Sequence, residues 1–303
     1  MTRNDKATGA DTASLSKPRL SVNQADPFGL LAADLARWQA HFGVTADQVR
    51  HDYVISRVLE ALAPHSDSFV FYGGTALSRT ILNGLRLSED IDLLSAISRS
   101  DAARIIDEAL RFGLRERFGT VIATPNLTQT RKDTDACVYH IGPVDIQIQL
   151  INGAFYTPWP TQASTVAQRY ADIPDIELTT YTPSAFVAAK TTAWGGRNAP
   201  RDLYDLWALS QRHFINSQAA AVFKSKGPTG GYPHRWSLPA KPPTEQAWQD
   251  ALDHQCVGKS QLLRRIELSW KPGKRSSRHK AQSSEDPHSQ SLLHEPLNLQ
   301  RPQ

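Results

Sequence analysis

Two short groups of residues in the first third of the chain have the types and spacing for phosphate and metal chemistry. The first is the pair Gly73-Gly74, which follows the apolar run FVFY and precedes a run of helix-forming residues. A strand that ends in glycines and leads into a helix presents free backbone N–H groups and the positive end of the helix dipole, which suit a triphosphate. A Cβ would hold the phosphates away, so we predict that Gly73, Gly74 and Thr75 bind nucleotide. A plain turn is the alternative.

Asp90 and Asp92 form the second group, sixteen residues after the glycine pair. In a strand, residues two apart project from the same face, so these carboxylates lie together while Ile91 and Leu93 point into the core. Two such carboxylates can share divalent ions roughly 3.5–4 Å apart, which clamp the attacking and leaving oxygens of a nucleotidyl transfer. A solvated strand edge is the alternative. Glu89 points the other way and is predicted to be a surface charge.

Five charged residues almost 100 positions later are candidates for the same site. Lys190 lies among small and apolar residues, where a lone ammonium needs a nearby anion; it either binds the β- or γ-phosphate or extends to the surface. Asp202 and Asp205 share a helix face, and Asp202 also suits the first turn of its helix. We predict that Asp205 positions Lys190 or the acceptor hydroxyl. Arg197 and Arg201 either bind phosphate or pair with the two aspartates.

Apolar periodicity predicts the elements that position these residues. Helical patterns occupy residues 26–50, 51–62, 75–82, 101–114, 183–194, 201–214, 245–254 and 261–269. Strand patterns occupy residues 69–72, 89–94 and 137–151. Because the strands cluster before residue 150 and the helices after residue 180, we predict a mixed α/β (α+β) fold in which a small mixed sheet is followed by a helical region.

Composition predicts a globular chain. Of 303 residues, 40% are hydrophobic and 21% are charged, which suffices for a sizeable core. No apolar run is long enough for a secretory signal or a membrane span, and Cys137 and Cys256 have no paired spacing. We therefore expect a cytoplasmic protein that does not bind membranes. The ten histidines show no H-E-x-x-H spacing and there is no G-x-x-x-x-G-K-[ST] loop, which argues against a zinc hydrolase and a P-loop NTPase.

Charge and composition divide the chain into four segments. Residues 1–26 are polar and hold 4 basic and 3 acidic residues, so we expect a flexible leader. Residues 271–303 hold 6 basic and 3 acidic residues and are predicted to be a disordered basic tail. These two segments account for the whole formal net charge of +4, which leaves a neutral body. Between them we place one domain at residues 27–160 and a mainly helical domain, which completes the cleft, at residues 161–270.

The joint order of strand, Gly-Gly, helix, strand and Asp-x-Asp matches the hG[G/S]…Dh[D/E]h pattern of the nucleotidyltransferase fold. The segment GGTALSRTILNGLRLSEDIDL resembles in particular the AbiEii/AbiGii toxin nucleotidyltransferases, in which GGTAL is followed by a variable helix and R-x-S-E-D-x-D. The segments HDYVISRVLEAL and AFVAAKTTAWGGRNAPRDLYDLWAL are also similar to that family. The resemblance covers residues 45–210, with weaker likeness at residues 245–260.

The resemblance implies a bilobed enzyme whose N-terminal domain has the nucleotidyltransferase fold. It also implies a nucleoside triphosphate as substrate, Mg²⁺ or Mn²⁺ as cofactor, an RNA acceptor for which we predict tRNA, and an antitoxin encoded nearby. On the matching motifs, we predict that Asp90, Asp92, Lys190 and Asp205 are the catalytic residues, and that Asp90 and Asp92 bind the metal.

One position departs from the pattern of this class. Nucleotidyltransferases usually carry a third carboxylate on a later strand, and its position falls on the neutral Gln149. Either Asp145 replaces it as a metal ligand, or the site works with Asp90 and Asp92 alone. The number of metal ions therefore stays open.

Two other functions stay open at this point. The same fold could transfer a γ-phosphate to a protein or a small molecule, which would release a nucleoside diphosphate, whereas nucleotide transfer releases pyrophosphate. The missing third carboxylate also permits a regulator that binds nucleotides without catalysis. Nucleotide binding without any product would then be observed.

Overall fold

The structure, a computed structural model, describes residue 26, residues 29–130, residues 135–233, residues 243–252 and residue 255. All of these residues belong to one compact unit, Met1–Pro272. The predicted leader other than Asp26, the predicted tail and the predicted helix at residues 261–269 lie outside the described residues. The predicted domain boundary between residues 160 and 161 stays a prediction.

Nine α-helices and seven β-strands form within the described residues. The helices are α1 (Ala32–Phe42), α2 (Ala46–Leu62), α3 (Gly73–Arg79), α4 (Arg99–Gly113), α5 (Arg115–Phe118), α6 (Pro183–Arg197), α7 (Pro200–Gln211), α8 (Ser217–Lys226) and α9 (Glu245–Leu252). The strands are β1 (Phe69–Tyr72), β2 (Ile91–Ser95), β3 (Ile122–Thr124), β4 (Cys137–Ile141), β5 (Val144–Ile151), β6 (Thr161–Val166) and β7 (Ile176–Tyr181). Among these described elements, every helix is too short or too polar to serve as a membrane span.

The strands of the described chain form one mixed sheet in the order β3-β4-β5-β2-β1-β7-β6. β1 runs antiparallel to β2 and parallel to β7, and β2 runs parallel to β5. β3, β4 and β5 pair antiparallel in succession. The predicted mixed α/β fold is confirmed. β1 and β2, which adjoin the two candidate motifs, lie inside the sheet rather than at an edge.

The core lies between the sheet and a pair of helices, α2 and α4, which pack against each other and against β5. Ile146, Ile148 and Leu150 alternate with polar residues along β5 and are all buried, as the apolar alternation predicts. Along α2, apolar residues at three- and four-residue spacing are likewise buried, Val54 and Val58 among them. This packing fixes the central strands and leaves the junctions of β1 and β2 with their loops available for a site.

The helical pattern at residues 26–50 is divided between two helices, so the predicted boundary at residue 50 is wrong. Gly43 ends α1 with a left-handed backbone (φ 62°), which glycine adopts without a steric penalty. Thr45 then begins α2 with a capping box. Its hydroxyl accepts from the backbone N–H of Gln48, and the Gln48 side chain accepts from the backbone N–H of Thr45.

β3, β6 and β7 have no counterpart among the predicted strands, and α5 and α8 have none among the predicted helices. β6 is an edge strand with a mostly exposed, hydroxyl-rich sequence, TQASTV, so it lacks the apolar alternation of a half-buried strand. β7 pairs in parallel with β1 through Phe71 and Thr180, and the rings of Tyr72 and Tyr181 contact each other. The sheet therefore extends beyond residue 150.

Two consecutive helices, α6 and α7, follow the sheet where the sequence predicts them. The hydroxyl of Thr182 accepts from the backbone N–H of Ala185 (3.3 Å), and Pro183 occupies the first turn, as the N-cap pattern predicts. α6 ends at Arg197, and the left-handed backbone of the next residue, Asn198 (φ 50°), leads the chain into Pro200 and α7. The two helices pack against each other.

Candidate active site

The Asp-x-Asp motif stands at the beginning of β2. The strand begins at Ile91, so Asp90 lies just before the strand rather than in it. Ile91 is buried while Asp90 and Asp92 are partly exposed, as strand alternation predicts. In the sheet register, Asp92 is flanked by Tyr72 of β1 and Gln149 of β5.

The carboxylate of Asp90 is close enough to affect the ionisation of Asp92. Burial and the neighbouring Asp90 carboxylate raise the pKa of Asp92 to about 6, while Lys190, Arg197 and Arg201 partly oppose this rise. These cations belong to a segment almost 100 residues later, so the fold brings both predicted halves of the site together. A divalent cation would relieve the repulsion between the two carboxylates, and the pair therefore fits such an ion.

The glycine pair makes close contacts with the segment that leads into β2. The backbone of Gly73 is left-handed (φ 79°), and a Cβ there would lie 1.9 Å from Oδ2 of Asp92. At Gly74, a Cβ would lie 3.0 Å from Nη2 of Arg86 and 3.0 Å from Oγ of Ser88. The side chains of Asp92, Arg86 and Ser88 lie so close that they favour glycine at both positions, whether or not a phosphate binds there. Contact of the two glycines with phosphates stays a prediction.

Thr75, the next residue of the motif, fixes the backbone in front of β2. Its side chain is buried, and its hydroxyl donates a hydrogen bond to the backbone carbonyl of Asp90. The start of α3 and the segment before β2 are therefore tied together. Nucleotide binding by Thr75 stays a prediction.

Lys190 is buried between two aspartates of the neighbouring helix. Only 7% of the residue is exposed, and its Nζ lies 3.0 Å from Oδ1 of Asp202 and 2.7 Å from Oδ2 of Asp205 on α7. The alternative of a surface lysine is therefore wrong. The two carboxylates supply the anions that a buried ammonium needs. The sequence predicts that Asp205 positions either Lys190 or the acceptor hydroxyl, and its contact with Lys190 corresponds to the first of these roles.

Arg86 completes this network of ion pairs, and the sequence reasoning missed it. Its guanidinium donates from Nε and Nη2 to the two oxygens of Asp205, at 2.9 Å each, and from Nη1 to Gln255 at 3.0 Å. Burial alone would raise the pKa of Asp205, but Arg86 and then Lys190 outweigh burial and lower it to about 2. The family segment R-x-S-E-D-x-D could have identified Arg86, because it is the arginine of that segment in this chain.

Asp202 is fully buried in the first turn of α7, where it binds two cations. Arg197 donates from Nε to Oδ2 (2.6 Å) and from Nη2 to Oδ1 (2.9 Å), and Lys190 also donates to Oδ1. Burial would raise the pKa of Asp202, yet these ion pairs hold it below its usual value. Of the two alternatives for Arg197, pairing with an aspartate is observed. Arg201 is exposed, and phosphate binding by either arginine stays a prediction.

Asp145 does not join the Asp90–Asp92 pair, which corrects the prediction that it replaces a third carboxylate. It lies four residues before Gln149 on β5, roughly 13 Å along the strand from the residue that flanks Asp92. Its exposed carboxylate lies 2.7 Å from Nδ1 of His140 on β4. In the part of the chain that the structure describes, no group of three or more His, Cys, Asp or Glu side chains is placed to hold a metal ion.

The fold and the site together define a class of enzyme, the nucleotidyltransferases. Gly-Gly after one central strand meets Asp-x-Asp at the start of the next, and a lysine–aspartate network lies within electrostatic reach. A family model described as nucleotidyl transferase AbiEii toxin, type IV toxin–antitoxin system, matches residues 57–258, about two thirds of the chain. The chain belongs to this family, which confirms the resemblance drawn from the motifs. No curated protein matches the chain significantly.

Three solved structures are similar to part of this chain. A candidate nucleotidyltransferase from H. pylori has 17% identity and a TM-score of 0.39, over 60% of this chain and 77% of that chain. An antigenic nucleotidyltransferase-like protein from Paracoccidioides brasiliensis has 13% identity and a TM-score of 0.37, over 60% and 88% of the two chains. ANT(2″)-Ia in complex with adenylyl-2″-tobramycin has 13% identity and a TM-score of 0.36, over 56% and 95%.

Proposed function

We propose that this enzyme transfers a nucleotide from a nucleoside triphosphate to the end of an RNA, with tRNA as the acceptor and Mg²⁺ as the cofactor. The observation that carries the proposal is that two acidic residues at the start of β2 lie within electrostatic reach of three cations. The pKa of Asp92 responds to Asp90 and, with opposite sign, to Lys190, Arg197 and Arg201. Nucleotidyl transfer needs carboxylates that hold a metal and cations that neutralise phosphates.

Asp90 and Asp92 would hold the metal ion, and Mn²⁺ is an alternative to Mg²⁺ for the same oxygen ligands. A bound divalent cation neutralises charge on the triphosphate and on the oxygens whose bonds are made and broken. Asp90 and Asp92 are both partly exposed residues at the start of β2, where the phosphates of a nucleotide would approach. Gly73 contributes by leaving room for the Asp92 side chain.

Lys190 would bind the triphosphate, and the surrounding ion pairs support this role. Lys190, Arg86 and Arg197 provide three positive charges, whereas Asp202 and Asp205 provide two negative charges. These five side chains carry one excess positive charge, which would attract a polyanion once a metal ion offsets the charges of Asp90 and Asp92. Ion pairs on two sides also restrict the ammonium to one position, so little reorganisation is needed when phosphate charge develops.

The acceptor and the partner are proposed from family membership. As a member of a type IV toxin family, the protein is expected to act with an antitoxin encoded nearby. A nucleotide added to the 3′ end of a tRNA would convert the terminal 3′-hydroxyl, to which an amino acid is attached, into a phosphodiester, with pyrophosphate as the leaving group. This single reaction would account for a toxic effect.

The proposal is tested by incubating the purified protein with each α-labelled nucleoside triphosphate, Mg²⁺ and total RNA. We expect label in RNA of the size of tRNA and release of pyrophosphate. Transfer of a γ-phosphate with release of a nucleoside diphosphate would instead indicate a phosphotransferase. Nucleotide binding without any labelled product would indicate a regulator.

A further inference from the structure

Three tyrosines form a row beside Asp92. Tyr72 is the register partner of Asp92 on the antiparallel strand β1, so the two side chains share a face of the sheet. The centre of the Tyr72 ring lies 6.0 Å from that of Tyr156 and 5.5 Å from that of Tyr181. We call Tyr156, Tyr72 and Tyr181 the tyrosine row. Its inner end packs against Phe186, with ring centres 5.6 Å apart, so the core supports it.

The outer end of the tyrosine row is exposed to solvent. Tyr156 is 39% exposed and its neighbour Phe155 is 85% exposed, the largest fraction among the exposed large apolar residues that the structure describes. Single exposed apolar residues are common on protein surfaces. Phe155 differs from them because it is the chain neighbour of Tyr156, the exposed end of a row of rings that leads to Asp92.

The turn that presents these outer rings is held in place. The backbone N–H of Gly153 donates to the Ser95 hydroxyl at the end of β2 (3.1 Å), and a Cβ at Gly153 would lie 2.0 Å from the Ser95 carbonyl oxygen. The Asn152 side chain accepts from the backbone N–H of Ala154 (3.1 Å). A fixed turn lowers the entropy that is lost when a flat ligand stacks on its rings.

Charged groups of the candidate active site act on Tyr156. Burial raises the pKa of the Tyr156 phenol, Asp92 raises it further, and Arg197 lowers it. The ring therefore lies within electrostatic reach of both the carboxylate and the arginine. Cations, aromatic rings and the carboxylates that would hold a metal ion thus lie within electrostatic reach of one another; the phosphates of a nucleotide would bind the metal ion and the cations, and its base would bind the rings.

We propose that Tyr156, with Phe155 at its outer edge, forms a stacking surface for a nucleobase bound next to Asp92. Every nucleobase is flat and has a π-face, so it stacks on aromatic side chains. This inference rests on the proposed function, because it needs a nucleotide at this site. The base belongs either to the nucleoside triphosphate or to the end of the acceptor RNA, and measurements with each ligand alone separate these two sources.

Calorimetric titration of the full chain, with Mg²⁺ and without RNA, tests the first source. It compares nucleoside triphosphates with inorganic tripolyphosphate, which has no base. Tyr156→Ala should weaken nucleotide binding roughly tenfold and leave tripolyphosphate binding unchanged, whereas Tyr156→Phe should bind both as the parent does. Phe155→Ala should show a smaller loss. Phe112→Ala is the matched control, because Phe112 is 75% exposed but lies on α4.

Fluorescence anisotropy with tRNA and no nucleotide tests the second source. A loss of RNA affinity in Tyr156→Ala that is absent from Tyr156→Phe would support the stacking surface and assign it to the acceptor. Unchanged affinity for both ligands, or an equal loss for tripolyphosphate, would overturn the inference and leave the proposed function standing. If the parent protein binds no nucleoside triphosphate, the proposed function fails and the stacking surface fails with it.

Discussion

Oδ2 of Asp92 occupies the space that a side chain at position 73 would need, since an ideal Cβ built on Gly73 would lie 1.9 Å from it. The left-handed backbone of Gly73 (φ 79°) is a second reason for glycine at this position. Gly73 and Asp92, which are 19 residues apart in two different motifs, are thus interdependent. The turn after β1 limits where the carboxylate at the start of β2 can lie, so the glycine belongs to the candidate metal site.

Gly73→Ala should abolish transfer and lower the free energy of unfolding by about 1–3 kcal/mol, because the new Cβ meets Asp92 and the residue keeps a positive φ. Gly195→Ala is the control. Nothing lies within 4 Å of a Cβ at Gly195, and alanine is more stable than glycine in a helix by about 0.5–1 kcal/mol. Transfer rates and urea unfolding of both variants check the prediction. Parental activity in Gly73→Ala would contradict it.

Asp90→Asn and Asp92→Asn should each reduce transfer by roughly 100-fold or more, because the metal ion loses one carboxylate ligand. Both variants should stay folded, since the substitution relieves repulsion between the two carboxylates. Asp145→Asn, which changes a carboxylate of the same sheet beside His140, is the control and should keep parental activity. The assignment fails if either site variant retains most of its activity while circular dichroism shows a folded protein.

Lys190→Ala should lower kcat/KM by on the order of 10²-fold or more, because it removes a cation that neutralises the triphosphate. Lys190→Arg should restore activity only in part, since a planar guanidinium needs a different volume between Asp202 and Asp205. Lys226→Ala, at the exposed end of α8, is the control. A parental rate in Lys190→Ala would remove Lys190 from the site.

Asp205→Asn should also lower turnover, and its effect should depend on Lys190. Nζ of Lys190 lies 2.7 Å from Oδ2 of Asp205, so a substitution at one residue disturbs the other. The double variant with Lys190→Ala should therefore lose less activity than the product of the two single losses. Losses that multiply would show that the two residues act separately.

The ion pairs of Asp205 should make stability depend on pH in the acid range. The pKa of Asp205 is lowered to about 2 in the folded state, below the value of about 3.9 for an unfolded aspartate. A lowered folded-state pKa contributes stability that is complete above the unfolded-state pKa and is lost as the pH falls through the folded-state pKa. We expect a contribution of about 2 kcal/mol at neutral pH that declines between about pH 4 and pH 2.

Urea unfolding of the parent and of Asp205→Asn, from neutral pH down to about pH 2, checks this dependence. At neutral pH the variant should be the less stable protein, because Arg86 and Lys190 lose the carboxylate that they share. The difference in the free energy of unfolding should shrink as the pH falls. A difference that stays constant over the whole range would contradict the lowered pKa.

Signals that act between neighbours in the sequence predict much of this fold. The alternation of Ile146, Ile148 and Leu150 predicts β5 and its buried face, and the pair Thr182-Pro183 predicts the start of α6. The same local signals fail where apolar spacing continues across a break. The helical pattern extends through Gly43, and only the glycine and the capping box after it mark the true boundary.

Partners that are distant in the sequence could not be predicted in the same way. Asp145 and Gln149 project from one face of β5, and only the register with β2 decides which of them flanks Asp92. Arg86 and Asp205 are 119 residues apart, and no periodicity connects them. The order of motifs nevertheless indicates one shared site, because it follows the pattern of a whole family rather than local spacing.

The most direct test follows the α- and γ-phosphates of one nucleoside triphosphate through the same reaction. With purified protein, Mg²⁺ and tRNA, we predict that an α-label becomes covalently attached to the tRNA while a γ-label is released as pyrophosphate. Asp92→Asn should give neither product. Transfer of the γ-label to any acceptor, with no α-label on the tRNA, would contradict nucleotide transfer to RNA at this site.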